Sequence, residues 1–282
     1  MNKLIRKKIL WISDFSLWQY PYGGAEITDS LLIKRGKKLI ANITPVLCDS
    51  VNKVNIDDSE LIILSNNFNL SLRNRDYIMR DKKYICLVQD CGRWMNTCLQ
   101  TPDLLKNSIL NIYMSPGQRD IYLKHFPEQK HVCIPPTVPD IFKNKNTERE
   151  DKILFVGFLH EGKGIGNVIN YAKNNPKKID FYGYCQSDKW LKAIEWLGNT
   201  TFKGGISMES LPEVYNRYKY YIHLPNIYES FSRTTAEALL CGCQLIHNGN
   251  LGILSYYFDT KGLREAVTQS DIKFWNTVNN LF

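Results

Sequence analysis

No apolar run in the sequence approaches the roughly 18 to 20 residues of a membrane span, and the opening MNKLIRKKILWIS turns polar too soon for a signal peptide. Both absences point to a cytoplasmic protein. The eight cysteines (48, 86, 91, 98, 133, 185, 241 and 243) form no C-x-x-C pair and no zinc spacing, so buried free thiols are expected and a disulfide framework is not. Alanine is scarce beside Lys, Asn and Ile, a bias that says nothing about chemistry. What is present is 282 residues with 44% hydrophobic content, enough for two domains of ordinary size.

Short apolar runs of strand length alternate with helical patterns along the whole chain. Strands are expected at Lys8 to Ile12, Ile43 to Cys48, Leu61 to Ser65, Tyr84 to Val88 and Asn111 to Ser115, with a helix from Ala25 that Gly36 weakens and another begun by Pro116. VCIPPTVP at Val132 to Pro139 holds three prolines that fit neither helix nor central strand, and the polar stretch from Lys143 reads as a linker, placing a boundary near Asn146. Strands at Lys152 to Val156, Ile179 to Gly183, Thr200 to Lys203, Tyr220 to Leu224 and Gln244 to Asn248 follow. Helices are expected between them and at Leu251 to Phe258 and Ser270 to Leu281. Alternation at this pitch predicts an α/β protein with parallel sheets covered on both faces.

The most informative stretch is Tyr220 to Cys243, YYIHLPNIYESFSRTTAEALLCGC. A strand ends at Pro225, a loop follows, and good helix formers run from Arg233 to a C-cap position at Gly242. Such a unit aims the free N–H groups of the first helical turn, and the positive end of its dipole, at the space beyond the strand, a ready place for phosphate. Glu229 and Glu237 flank that turn, and a carboxylate accepts two hydrogen bonds from vicinal hydroxyls. A strand, the Gly-Gly turn of PYGGAE and a helix repeat the phosphate-cradling pattern near the N-terminus.

The E-x7-E spacing in YESFSRTTAEALLCG closely resembles the nucleotide-sugar motif of the retaining family-4 glycosyltransferases (glycosyltransferase group 1), and the chain resembles a short variant of them. The resemblance implies the GT-B fold, two Rossmann-like domains facing a central cleft, here residues 1–145 on the acceptor side and 146–282 on the nucleotide-sugar side. It also implies that Glu229 faces the donor sugar, Glu237 holds the ribose, and Ser230, Phe231 and Ser232, with Arg233, line the diphosphate. Gly157-Phe158-Leu159-His160-Glu161-Gly162-Lys163-Gly164 resembles the family's G-R-L-x-x-x-K-G stretch; Lys163 matches a diphosphate-holding lysine, and Phe158 stands where an arginine is expected. Arg233, or an arginine of the other domain, is the expected substitute. Gly23 and Gly24 match a loop beside the donor, and the backbone from Gly204 would lie along the nucleotide. Gln89 replaces a family histidine, leaving Gln89, Asp90, Arg93 and Trp94 as the acceptor-side wall.

The implied activity is transfer of a hexose or pentose from a nucleoside-diphosphate sugar to a hydroxyl, with retention and with the leaving phosphate taking the acceptor proton. No cofactor and no metal are implied, and no D-x-D triplet occurs. Residues 1 to 145 carry 21 Lys and Arg against 14 Asp and Glu, and the remainder 15 against 14. The basic half fits an anionic acceptor, either a membrane-associated glycan with the protein peripheral to the bilayer, or nucleic acid. Trp18, Tyr20, Tyr22 and Trp94 interleave with charge as a stacking surface would. Three readings stay open: a glycan or lipid-linked acceptor, a hydroxymethylated base in DNA, and a non-catalytic nucleotide-sugar or glycan-binding module.

Overall fold

The computed structural model describes residues 7–14, 23–39 and 41–281, with the side chains of 41, 93 and 94 left aside. Arg6, Trp18, Tyr20 and Tyr22 lie outside the described residues, as do the side chains of Arg93 and Trp94. The chain forms two compact units: residues 1–137 with 269–282, and Val138–Thr268.

The first unit is a six-stranded parallel sheet. β1 (Lys7–Ser13) is followed by α1 (Gly24–Leu39) and β2 (Ala41–Leu47), then α2 (Lys53–Asp57), β3 (Leu61–Ser65), α3 (Leu72–Asp81) and β4 (Tyr84–Val88). α4 (Arg93–Gln100), α5 (Asp103–Lys106), β5 (Leu110–Tyr113), α6 (Pro116–Leu123) and β6 (His131–Cys133) complete it. The order is β2-β1-β3-β4-β5-β6. β3, β4 and β5 are buried at every position, the continuous apolar pattern of strands covered on both faces.

The last helix, α12 (Ser270–Asn279), returns to this unit. Phe274 and Trp275 are buried, their rings 6.0 and 6.4 Å from that of Trp11, and Trp275 Nε1 donates to the Leu32 carbonyl at 2.7 Å. Gly36, which reads in sequence as a weakness of α1, is what admits that indole: a Cβ there would stand 2.2 Å from Trp275 Cζ2. The expected domain limits are corrected accordingly. The crossover comes at 137/138, before the predicted 145/146, and residues 269–282 belong with the first half.

The second unit carries β7 (Glu150–Val156), α7 (Ile165–Lys173), β8 (Ile179–Tyr182), α8 (Asp188–Trp196), β9 (Thr200–Gly204), α9 (Leu211–Arg217), β10 (Tyr218–His223), α10 (Arg233–Leu240), β11 (Gln244–His247) and α11 (Thr260–Thr268). All five strands are parallel, in the order β11-β10-β7-β8-β9. The expected linker is docked onto this unit. Asn216 Nδ2 donates to the Lys143 carbonyl at 2.9 Å, its Oδ1 accepts the Lys145 N–H at 2.8 Å, and the Arg149 guanidinium donates to the carbonyls of Tyr215 and Tyr218. Phe142, also buried, packs edge-on against Tyr215 with ring centroids 6.0 Å apart. The predicted helix at Leu251 to Phe258 is a short 3₁₀ turn, Gly252–Tyr256, ending at Tyr257 with φ 53°, and α11 follows it.

The strand order fixes where a ligand belongs. From central β7 the chain winds outward through β8 and β9, then restarts on the other side with β10 and β11, so β7 and β10 are neighbours whose connections leave in opposite directions. The crevice beyond their carboxyl ends is the topological switch point, where open α/β sheets hold ligands.

Candidate active site

Two loops border that crevice: residues 157–164 after β7 and 224–232 after β10. Gly164, at φ 75°, lets them approach, since a Cβ on it would sit 1.8 Å from the Leu224 carbonyl oxygen. Asn226 Nδ2 then donates to the Glu161 carbonyl at 2.8 Å and to Glu161 Oε1 at 3.0 Å, and Asn167 Nδ2 donates to the Leu224 carbonyl at 2.8 Å. The second loop is pinned from behind. The Glu229 N–H donates to the Asn250 carbonyl at 3.0 Å, Gly252 N–H donates to the Glu229 carbonyl at 2.8 Å, and Ile253 N–H donates to the Phe231 carbonyl at 3.0 Å.

The two bordering loops bring Glu229 and Lys163, 66 residues apart, into an ion pair of 2.5 Å. The side chains are 13% and 41% exposed, so the carboxylate is sheltered while the ammonium reaches the surface. His223, buried at the end of β10, places Nε2 3.5 Å from the same Oε1, at the outer limit of a hydrogen bond. Burial on its own would raise the Glu229 pKa. The charge of Lys163 and the contacts of His223 and Lys163 outweigh it and hold the carboxyl well below its usual range, so Glu229 is ionised at any working pH.

α10 begins one residue past Ser232, whose φ of 78° is a left-handed conformation seldom taken by a residue with a side chain. Its Oγ lies 2.8 Å from Thr235 Oγ1. By helix geometry the N–H groups of the first turn of α10 have no acceptor within the helix. Phe231 is buried with its ring 6.1 Å from that of Tyr256, and Ser230 is partly buried.

Glu237 and Arg233, one helical turn apart, lie 3.7 Å from each other and are both buried; Glu237 Oε2 also accepts the Tyr215 hydroxyl at 3.2 Å. Burial pushes the Glu237 carboxyl up to about 7 against the lowering effects of Arg233 and Tyr215. Burial likewise lowers the Arg233 guanidinium pKa, opposed by Glu237 and Tyr215. The oxygens expected to meet a ribose thus face Arg233 and Tyr215, and a hydroxyl reaching them competes with those partners.

The glycines divide in role. Gly157 N–H is spent on the Tyr182 carbonyl at 3.0 Å, and its own carbonyl lies where a Cβ on Gly183 would come within 1.9 Å, so Gly157 joins β7 to β8. The Gly204 carbonyl accepts Gly183 N–H at 2.8 Å, and nothing lies within 4 Å of the Cβ it lacks.

In the first unit, Gly23 and Gly24 stand at the start of α1, with Gly23 N–H donating to Glu26 Oε2 at 2.6 Å. Gln89 is buried, its amide donating to Asp29 Oδ1 at 2.6 Å and Ser65 Oγ at 2.7 Å. The Asp90 carbonyl accepts from Gln118 Nε2 and the Tyr122 hydroxyl, each at 3.0 Å. Asp29 is pushed up to about 7 by burial, opposed chiefly by the Ser65 hydrogen bond.

Sequence reasoning missed His223, Tyr215 and Asp29. His223 and Tyr215 sit inside stretches that read as plain strand and helix, and Asp29 sits within a helical pattern, so each looked like an interior position with no signal of its own.

Comparisons with known proteins bear on the fold and on the second unit. Residues 138–271 match the family model described as Glycosyl transferases group 1. No curated protein matches the chain. Among solved structures, sucrose-phosphate synthase from Thermosynechococcus elongatus superposes with a TM-score of 0.71 at 16% identity, over 94% of this chain and 89% of that one. HepE from Anabaena, in a complex with UDP and glucose, gives a TM-score of 0.67 at 13% identity over 94% and 89%. AviGT4, a glycosyltransferase involved in avilamycin A biosynthesis, gives 0.59 at 12% identity over 95% and 93%. At such identities the structures speak to fold, and the family model to the second unit. Residues 138–271 are thus a Glycosyl transferases group 1 domain, in a chain with the GT-B fold.

Proposed function

We propose that the crevice between β7 and β10 holds the diphosphate and sugar of a nucleoside-diphosphate sugar, and that the enzyme transfers the sugar, with retention and without a metal ion, to a hydroxyl of a glycan. The observation that carries this reading is the Lys163–Glu229 pair at the switch point, where the second loop leads into the first turn of α10. A departing diphosphate develops negative charge, and a cation and preorganised N–H groups aimed at it lower the barrier most where water is excluded. Lys163 supplies the charge; its partial exposure leaves it able to turn from Glu229 to phosphate. Glu229, freed from Lys163, accepts hydrogen bonds from sugar hydroxyls and orients the anomeric carbon. Glu237 takes the ribose hydroxyls at the second turn of α10, with Arg233 and Tyr215 setting its position.

HepE was solved with UDP and glucose, which favours a uridine nucleotide as the first donor to try here. TarM from S. aureus, solved with fondaparinux, α-GlcNAc-glycerol and UDP, matches with a TM-score of 0.56 at 17% identity over 76% of this chain and 48% of that one. That supports a carbohydrate hydroxyl as the acceptor. Among the described residues no helix is long and apolar enough to cross a membrane.

The test is a thermal-shift and UDP-release assay with UDP sugars on the wild type and on Glu229→Gln. Saturating UDP at about 100 times its Kd stabilises by about 2.7 kcal/mol, and the carboxamide variant should keep UDP binding while losing most UDP release. If UDP, GDP and ADP all leave the melting temperature of the wild type unchanged, the reading fails.

A further inference from the structure

The stretch GFLHEGKG has one cation where the resembling sequences have two, because Phe158 occupies the arginine position. Arg233, the expected substitute, is committed elsewhere: it is 8% exposed and lies 3.7 Å from Glu237. The same loop holds another polar side chain. His160 is partly buried, between Phe158 and the 3₁₀ turn Glu161–Lys163. Its Nδ1 accepts the Gly162 N–H at 3.0 Å, which assigns the proton of the neutral ring to Nε2.

The ring is held on two sides. Phe158 lies against it with centroids 4.7 Å apart, and Phe158 is itself stacked on Tyr184 at 5.6 Å and 26°. On the other side a Cβ at position 162 would come within 2.8 Å of His160 Cε1, so glycine there is required for this ring position. The charged groups facing His160 are Lys163, Glu229 and Glu161. Burial first, then the positive charge of Lys163, lower its pKa below the usual histidine range, against the opposing pull of the two carboxylates.

Resting on the function proposed above, we propose that His160 is a second diphosphate-binding residue, a neutral imidazole whose Nε2–H donates to a phosphate oxygen and takes the place of the hydrogen-bond donor missing at Phe158. Phe158 and Tyr184 serve as the shelf that holds the ring. The Gly162 N–H keeps Nδ1 as the acceptor, since a proton on Nδ1 would face another donor. A neutral donor gives less attraction to a phosphate oxygen than an arginine does.

The experiment is calorimetric titration of UDP into wild type, His160→Phe, His160→Gln and Phe158→Arg/His160→Phe, with long-range proton–nitrogen spectra of histidine-labelled wild type. A hydrogen bond to a charged group corresponds to roughly a 10- to 150-fold change in Kd. His160→Phe, which keeps a ring on the shelf, should weaken UDP binding by that factor. His160→Gln, whose amide nitrogen stands near Nε2, should recover part of the loss, and Phe158→Arg in the His160→Phe background should restore binding. In the spectra His160 should keep the Nε2–H tautomer between pH 6 and 8, with Nε2 alone shifting on addition of UDP. UDP binding by His160→Phe equal to wild type, or unmoved His160 nitrogens in a UDP-saturated sample, overturns the proposal while leaving the donor site standing. If the wild type binds no nucleoside diphosphate, the proposed function falls and this inference with it.

Discussion

Replacing Lys163 by methionine removes the charge beside a sheltered carboxylate while keeping most of the side chain's bulk. At 2.5 Å, and with the effective dielectric of about 20 that suits protein sites, the gross attraction is about 7 kcal/mol, most of it offset by desolvation. Removing one partner of a fully buried pair costs about 3 to 5 kcal/mol. Lys163 is 41% exposed, so solvent screening brings the expected cost to about 2 kcal/mol. In a unit of this size that is on the order of 8 °C in the melting temperature. The pH dependence should change sign as well. In the wild type the depressed Glu229 pKa contributes stability that is present above the usual glutamate pKa and lost as pH falls through the folded value. In Lys163→Met burial dominates, the Glu229 pKa rises, and lowering pH from 7.5 to 5 should recover stability. Adding Glu229→Gln to Lys163→Met should recover about 1 kcal/mol or more without restoring UDP binding. Thermal melts followed by circular dichroism at both pH values, for the single and double variants, measure all of this. If Lys163→Met melts with wild type and shows the same pH profile, the pair carries no coupling and the electrostatic account of the site is wrong.

Two further expectations concern the first unit. Asp29→Asn should stabilise the protein at pH 8 by up to about 4 kcal/mol, the equivalent of a carboxyl raised from its ordinary value to about 7, and by no more than about 2 kcal/mol at pH 5. The sign follows from the raised pKa: the wild type is favoured while Asp29 is protonated and loses that advantage as pH rises through 7, so equal pH profiles for the two proteins would refute it. Trp275→Ala should cost about 3 to 5 kcal/mol, and hydrogen exchange should show lost protection in β1 and α1, whose Trp11 and Leu32 the indole contacts, with β7 and β10 keeping theirs. Loss confined to the second unit would contradict the assignment of α12 to the first.

Much of the fold was legible in the sequence because parallel strands buried on both faces read as unbroken apolar runs: Leu61–Ser65 and Tyr84–Val88 are strands with the limits that hydropathy alone suggests. The loop after β10 was legible too, since a strand stopped by Pro225 and a helix stopped at Gly242 leave only the residues between them to turn the chain. Local sequence says nothing of which distant segments meet. That Lys163 pairs with Glu229 depends on β7 and β10 being neighbours, a consequence of the order in which the strands are laid down. The division of the chain is hidden for the same reason: polar residues 143–149 look like a linker until Asn216 meets the backbone of Lys143 and Lys145 and Arg149 reaches the carbonyls of Tyr215 and Tyr218, and the last helix looks like part of the second half until Trp275 fills the gap over Gly36. The run of residue types fixes secondary structure and names the polar groups available for chemistry. Partnership, burial and hence the charge state of Glu229, Glu237, Asp29 and His160 are set only by packing, because desolvation and Coulomb attraction act through space and take no account of distance along the chain.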